Sequence, residues 1–233
     1  MTEQAAPSGA MYDAYLFNLA TQLADVGLIR WSDEPFKLKS GILSHVYVFG
    51  REDLTDNPRV LCEISDQIAL KTLAILNEQG DTRQACLIGV PTAGSPLAVA
   101  ASLVTRAVWP KPKIVSRIMR EAVKEYGAHR TWVNGRPDQK QHCYMTVDNV
   151  ITDGRSKLET IERLREDGYP VDGMPHIVLV DRQQGGVEKL RAQGIRVEPI
   201  LYLLDLVWAF GMLDLWPKER VEAVKEEIAA HQL

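Results

Sequence analysis

The sequence predicts an α/β protein in which helices cover both faces of a mostly parallel sheet. Beyond residue 76, short apolar segments typical of strands alternate with helical segments, as they do in parallel β–α units. The composition, with 45% hydrophobic and 25% charged residues, is that of an ordinary globular protein. A chain of 233 residues is also long enough to bury one substantial core. In such a sheet, ligands bind beyond the carboxyl ends of the strands.

The part before residue 76 predicts helices around a pair of strands. In chain order we expect a short mobile tail, a helix, two short strands and a second helix, over residues 1–9, 10–28, 36–49 and 58–76. Gly27 lies near the end of the first helix, and Pro58 opens the second one. Ser40 and Gly41 mark the turn between the two strands.

The alternating part supplies the predicted sheet. Strands are expected over residues 86–90, 113–119, 142–147, 176–182 and 197–203. Helices are expected over residues 96–107, 156–166, 187–193 and, as a charged C-terminal helix, 218–232. The polar stretch over residues 125–141 has no apolar periodicity, which at this length indicates a functional loop.

Charge and cysteine content exclude several classes of function. The formal net charge of −4 gives no overall basic field for nucleic acid, so no nucleic-acid partner is expected. No apolar run is long enough for a membrane span, and the first residues do not resemble a secretory signal. The three cysteines, Cys62, Cys86 and Cys143, lie far apart and form no zinc or disulfide pattern. We expect buried free thiols in a reducing cytoplasm.

The loop after the central predicted strand carries the most informative residues. Asp148 and Asn149 are expected to leave the strand end with side chains that can bond the vicinal hydroxyls of a sugar. Gly154 then permits a tight turn into a helix, whose first N–H groups attract an anion. A sugar phosphate would satisfy both halves, although an ordinary helix capped at its N-terminus would give a similar local sequence.

This stretch, YMTVDNVITDGRS over residues 144–156, is similar to the signature with which type I phosphoribosyltransferases bind 5-phosphoribosyl 1-diphosphate (PRPP). The orotate phosphoribosyltransferase branch matches from about residue 17 to residue 206. Four further motifs occur in the family order, namely FKLKSG, GVPTAGSPLA, MREAVKEYG and VLVDRQQGG, which begin at Phe36, Gly89, Met119 and Val178.

The resemblance implies a fold, a domain layout and a reaction. It implies the type I phosphoribosyltransferase fold over residues 10–215, with a small N-terminal hood over about residues 10–55, and a C-terminal helix over residues 216–233. The implied enzyme is a glycosyltransferase of pyrimidine nucleotide biosynthesis. It would transfer the 5-phosphoribosyl group of PRPP to orotate, giving orotidine 5′-monophosphate and diphosphate. Holding the diphosphate and orienting the ribose would supply most of the catalysis.

The resemblance also implies site residues. The catalytic set is Lys124, Arg120, Asp148 and Asn149. The implied PRPP contacts are Lys39, Thr92, Ala93, Arg120, Lys124, Tyr126, Asp148, Asn149, Val150, Ile151, Thr152, Asp153, Gly154, Arg155 and Ser156. The implied orotate contacts are Lys39, Tyr47, Val48, Thr152 and Arg182, the last through a fork that suits a planar carboxylate.

A metal ion and a second subunit complete what the resemblance implies. Mg²⁺ would be bound mainly through PRPP, with no metal ligand from the protein. The chain would form a homodimer in which the loop over residues 120–141 completes the neighbouring subunit's site. PRPP and orotate would be the small-molecule partners.

Several positions depart from the family pattern in charge. Asn149 replaces one of two acids, Asp153 replaces a small neutral residue beside the phosphate, and Glu121 replaces a frequent lysine. Arg155, two residues after Asp153, could neutralise it. Two alternatives therefore remain open: a catalytically impaired relative that binds PRPP or a nucleotide in a regulatory role, and a transferase acting on a different base.

Overall fold

The computed structural model describes residues 3–38, 40–48, 52–108, 113–122 and 133–231. The strands in chain order are β1 (Gln4–Ala5), β2 (Met11–Tyr12), β3 (Ile29–Lys37), β4 (Leu43–Val48), β5 (Gln84–Gly89), β6 (Ile114–Ile118), β7 (His142–Ile151), β8 (His176–Asp181) and β9 (Val197–Tyr202). The helices are α1 (Ala14–Asp25), α2 (Glu52–Thr55), α3 (Pro58–Glu78), α4 (Gly94–Val108), α5 (Arg155–Glu166), α6 (Gly186–Ala192), α7 (Leu203–Met212) and α8 (Lys218–Ala229).

Five parallel strands form the central sheet in the order β6-β5-β7-β8-β9. All six residues of β8 are buried, as expected of a parallel strand that is covered on both faces. Helices α3 and α4 pack against one another and against the sheet, while α5 follows β7. The predicted α/β fold class is confirmed, and β7 lies at the centre of the sheet.

An antiparallel hairpin of β3 and β4 precedes the sheet, as the sequence predicts. Its turn is closed by a hydrogen bond from the Leu38 amide to the Ile42 carbonyl oxygen (2.8 Å) and by Gly41 at φ +93°. Strand β3 begins earlier than expected, and its Trp31 stacks on His45 of β4 with ring centroids 4.9 Å apart.

The N-terminal segment differs from the expected mobile tail. Strand β1 pairs with β2, and the Ser8 amide donates to Asp205 Oδ1 of α7 at 2.9 Å. The first helix is also shorter than predicted, because the Asp13 side chain accepts the Leu16 amide and so starts the helix at Ala14. The structure therefore ties residues near the N-terminus to helix α7.

The C-terminal helix packs on the protein's own core. Val224 and Ile228 of α8 are buried, and the helix contacts α7 and β4. Helix α8 therefore brings charged side chains next to the hairpin.

Two further observations bear on the sequence predictions. Cys86 and Cys143 are buried as expected, but Cys62 on α3 is exposed, which corrects the expectation of three buried thiols. Among the described helices, none combines the length and the apolar character needed to cross a bilayer.

Candidate active site

Asp148 and Asn149 lie inside strand β7 and not beyond its end. The strand continues to Ile151, and Asp148 pairs in parallel register with Val178 of β8. This corrects the expected strand end at residue 147, and the turn that follows contains only residues 152–154. The backbone around both polar side chains is therefore held by neighbouring strands.

The carboxylate of Asp148 is bound by a buried lysine that the sequence analysis missed. Lys157 of α5 is 1% exposed, and its ammonium donates to Asp148 Oδ2 and, at 3.3 Å, to the Val150 carbonyl oxygen. The other carboxylate oxygen, Oδ1, accepts the Asn149 amide at 2.8 Å. Both oxygens of Asp148 thus have partners within the protein, and one partner neutralises its charge.

Helical spacing offered a signal for Lys157. The lysine occupies the same helix face as Ile161 and Leu164, four and seven residues further on, and all three are buried. A lysine on the apolar stripe of a helix needs a buried counter-ion, and Asp148 is a nearby acid in the sequence.

His176 on β8 is buried near Lys157. Its Nδ1 lies 2.7 Å from Thr146 Oγ1, and the residue is 1% exposed. Burial, with a smaller contribution from the charge of Lys157, lowers the pKa of His176 from 6.5 to about 4. The ring is therefore neutral at neutral pH.

A glycine turn leads from β7 into α5. Gly154 has φ +80°, and a Cβ at this position would lie 3.0 Å from Leu190 Cγ of α6. A Cβ on Gly186 would lie 2.4 Å from the Thr152 carbonyl oxygen. The turn therefore packs closely against α6, and at Gly186 the main chains approach so closely that a Cβ would not fit.

Asp153 is paired within this turn. Its carboxylate accepts from the Arg155 guanidinium and, at 3.2 Å, from the Arg155 amide. The Arg155 side chain is 62% exposed, so the pair lies at the surface of the turn. The structure thus supports the neutralisation of Asp153 by Arg155 that the sequence left open.

The loop after β5 lies against β7 at Val147, next to Asp148. The Val90 amide donates to the Val147 carbonyl oxygen at 2.9 Å, and a Cβ on Gly94 would lie 2.1 Å from that oxygen. Of the predicted PRPP contacts here, Ala93 is buried and Thr92 is exposed. The loop after β5 therefore packs against β7 next to Asp148, at the carboxyl edge of the sheet.

Glu121 reaches into this loop. Its carboxylate accepts the hydroxyl of Thr92, beside a cavity of about 700 Å³ that Pro91, Pro96 and Ile118 also line. The carboxylate of Glu121 therefore places a negative charge beside the loop that is expected to bind the diphosphate.

Arg182 is enclosed by the protein. Its guanidinium is 2% exposed and donates to the Gln184 side chain (3.0 Å), the Val46 carbonyl oxygen (2.9 Å) and Ser44 Oγ (2.8 Å). Burial lowers the pKa of Arg182 to about 10, while the charge of Glu227 acts in the opposite direction. The predicted role of Arg182 in binding orotate stays a prediction, because in this structure the side chain faces the hairpin.

Tyr47 and Val48 occupy opposite faces of β4. Val48 is buried on the face of Ser44 and Val46, whereas Tyr47 is exposed and packs against Phe36 at 5.2 Å between centroids. The two side chains therefore do not line one common surface.

Of the remaining predicted contacts, Arg120 is half-buried, while Lys39, Lys124 and Tyr126 lie outside the described residues.

Comparison with known proteins relates the chain to a known family, although no family model matches it. The chain is 33% identical over 188 residues to the orotate phosphoribosyltransferase of Methanopyrus kandleri, which covers 81% of this chain and 90% of that protein. It is 31% identical over 219 residues to the uridine 5′-monophosphate synthase of Bos taurus, covering 94% of this chain but only 42% of that longer protein.

Two solved structures are also similar to this chain. The orotate phosphoribosyltransferase of Aeropyrum pernix has a TM-score of 0.61 at 28% identity, over 83% of this chain and 99% of that one. The UMP synthase of Leishmania donovani shares the fold with a TM-score of 0.73 at 22% identity, over 92% of this chain and 42% of that one. The chain belongs to the orotate phosphoribosyltransferase family.

Proposed function

We propose that this chain transfers the 5-phosphoribosyl group of PRPP to orotate, releasing diphosphate and forming orotidine 5′-monophosphate in pyrimidine nucleotide biosynthesis. The proposal rests on the sequence similarity to the Methanopyrus kandleri enzyme, which extends over 90% of that enzyme. The meeting of the loops after β5, β7 and β8 at one edge of the sheet supports it.

Each loop has a task in the proposed reaction. The turn over residues 152–156 holds the 5-phosphate with main-chain groups at the start of α5. Asp148 and Asn149 orient the ribose hydroxyls. The loop with Thr92 and Ala93 receives the diphosphate, and Arg120 and Lys124 stabilise the charge that develops on it as its bond to the anomeric carbon breaks.

Magnesium is proposed to enter with PRPP. Mg²⁺ prefers phosphate oxygens and water to a full set of protein ligands, and it would screen the charge of the diphosphate. Both oxygens of Asp148 are already bonded within the protein. Within the described ranges no three acidic, histidine or cysteine side chains form a cluster that could hold a metal, so substrate oxygens are the expected ligands.

A homodimer is proposed on the basis of an exposed apolar groove between α3 and α4. Leu70 is 61% and Val108 is 70% exposed there, and Leu73 and Val104 line the groove between them. An exposed apolar surface of this kind is typical of one that a second subunit would bury.

We infer a cytoplasmic location from the thiols. Burial raises the pKa of Cys86 and of Cys143 to about 11, so both remain protonated and unreactive. Such free thiols suit a reducing compartment.

A regulatory protein that binds PRPP without turnover is the second candidate. The amide of Asn149, the carboxylate of Glu121 beside Thr92 and the enclosure of Arg182 favour it. A transferase for a different base would also explain an enclosed Arg182.

One experiment separates these candidates. The protein is mixed with Mg²⁺, PRPP and orotate, and the loss of orotate absorbance is followed. Turnover that disappears in Lys124→Ala supports the proposed reaction. Calorimetric binding of PRPP without turnover contradicts it and supports the regulatory candidate, whereas turnover of another pyrimidine but not of orotate supports a different base.

A further inference from the structure

Glu227 of α8 joins three parts of the molecule. Its Oε2 accepts the main-chain amide of His45 in β4 at 3.1 Å, and its Oε1 lies 3.3 Å from Gln184 Nε2 in the loop after β8. Oε1 also lies 3.6 Å from Arg182 Nη2. The Glu227 side chain is only 12% exposed, so this carboxylate is held inside the protein by donors from β4 and from the loop.

Glu227 occupies the position of a carboxylate partner for Arg182. A guanidinium that is 2% exposed cannot meet a substrate unless its side chain first moves. Its hydrogen bonds to Val46 and Ser44 hold it against the hairpin, and the charge of Glu227 stabilises that buried position. A carboxylated base must therefore compete with an internal carboxylate for the same cation.

We propose that Glu227 is a positioning residue that sets the affinity for the base by holding Arg182 in its enclosed position. The proposal rests on the proposed function, in which Arg182 binds the carboxylate of orotate. Removing the charge of Glu227 lowers the free-energy difference between the enclosed and the released guanidinium. The affinity for a carboxylated base then rises, because less of the binding free energy is spent on the exchange.

The test variant is Glu227→Gln, which removes the charge and keeps an oxygen for the His45 amide. We expect the KM for orotate to fall about fivefold, a modest coupling between two neighbouring groups, with kcat and the KM for PRPP unchanged. Glu226→Gln is the matched control, since Glu226 is the adjacent residue of the same helix and is exposed. A merely structural role for Glu227 would lower the melting temperature without this selective change in KM.

A second background identifies Arg182 as the route of the effect. In Arg182→Gln, the added Glu227→Gln substitution should leave the orotate KM unchanged. Glu227→Asp, which withdraws the carboxylate by one methylene, should lower the orotate KM in the same direction and serves if Glu227→Gln does not fold. An unchanged or higher orotate KM in Glu227→Gln, or an effect that persists without Arg182, overturns the proposal.

Calorimetry separates this inference from the proposed function. If the wild-type protein binds orotate without turnover, the reaction is wrong but Glu227→Gln should still tighten orotate binding about fivefold. If the wild-type protein turns over orotate and the variant binds it no more tightly, only the inference is wrong. If neither protein binds orotate, both are wrong.

Discussion

The ammonium of Lys157 lies in hydrogen-bond contact with the carboxylate of Asp148, and both groups are buried beneath the turn that leads into α5. The pair brings no net charge to the proposed ribose site. Asn149 adds no charge, so the two acids of the family pattern are replaced by one carboxylate that the protein itself neutralises.

Lys157→Met should destabilise the protein by about 3–5 kcal/mol, because a buried carboxylate loses its counter-ion. The double variant Lys157→Met/Asp148→Asn should recover most of that loss, since no unpaired charge remains. Urea unfolding monitored by circular dichroism measures both. The exposed Lys140→Met serves as the control, and a double variant as unstable as Lys157→Met would contradict the pairing.

Arg155→Ala should weaken PRPP binding roughly twofold to fivefold, the range expected for an exposed ion pair. The substitution removes the guanidinium that neutralises the Asp153 carboxylate beside the proposed 5-phosphate. Adding Asp153→Ala should restore the affinity. Calorimetric titration with PRPP measures it, and equal affinities in the wild type and in Arg155→Ala would show that Asp153 does not act on the phosphate.

Asn149→Asp should raise kcat/KM for PRPP roughly fivefold to thirtyfold, because charged hydrogen bonds are stronger than neutral ones. This factor corresponds to about 1–2 kcal/mol of added transition-state stabilisation. The neutralised Asp148 makes a second carboxylate tolerable at this position. Initial rates from orotate absorbance check this. A lower rate would mean that the amide is the better partner for the ribose.

Glu121→Gln should lower the KM for PRPP roughly twofold to fivefold. The substitution removes a negative charge from the loop of Thr92 while keeping an acceptor for its hydroxyl. The effect should shrink at high salt, because Glu121 is exposed. Glu159→Gln, an exposed acid on α5, is the control, and a gain of equal size there would point to net charge alone.

His176 should make the protein less stable as the pH falls from 6.5 towards 4. The unfolded chain takes up the imidazole proton near 6.5, whereas burial holds the pKa of the folded His176 at about 4. Protons therefore favour the unfolded chain within this window, by about 3 kcal/mol at most. Burial also raises the pKa of Asp181 to about 6, which acts in the opposite direction.

His176→Gln isolates the histidine, because Asp181 is unchanged in the variant. The difference between the free energies of unfolding of the two proteins should shift in favour of the variant between pH 6.5 and 4. Urea titrations at four pH values measure it. A constant difference would show that His176 is not held neutral.

The strands of the sheet were predictable as short apolar runs, and the helices between them from their helical spacing and the turns at their ends. Helix α7 was missed because its apolar sequence follows β9 directly, and no side-chain hydrogen bond caps it at Tyr202. Strands β1 and β2 have two residues each, too few to show an alternation.

The site was predictable as a set of loops but not as a set of contacts. Motifs located Asp148, Gly154 and Thr92, because the family pattern has recognisable residue types in these loops. They did not show that β7 extends past Asp148, since polar residues are uncommon in a buried strand. Arg182 is enclosed by residues of the hairpin and lies near Glu227, 45 residues away, and no local sequence pattern reports such contacts.

The close approach of Gly94 to Val147 and of Gly186 to Thr152 has a consequence for how such a site can diverge. At both places one main chain packs directly on another, so no outward side chain takes part in these two contacts. Acidic, basic and amide groups on the outer surface of these loops can then be exchanged over evolutionary time while this main-chain packing persists.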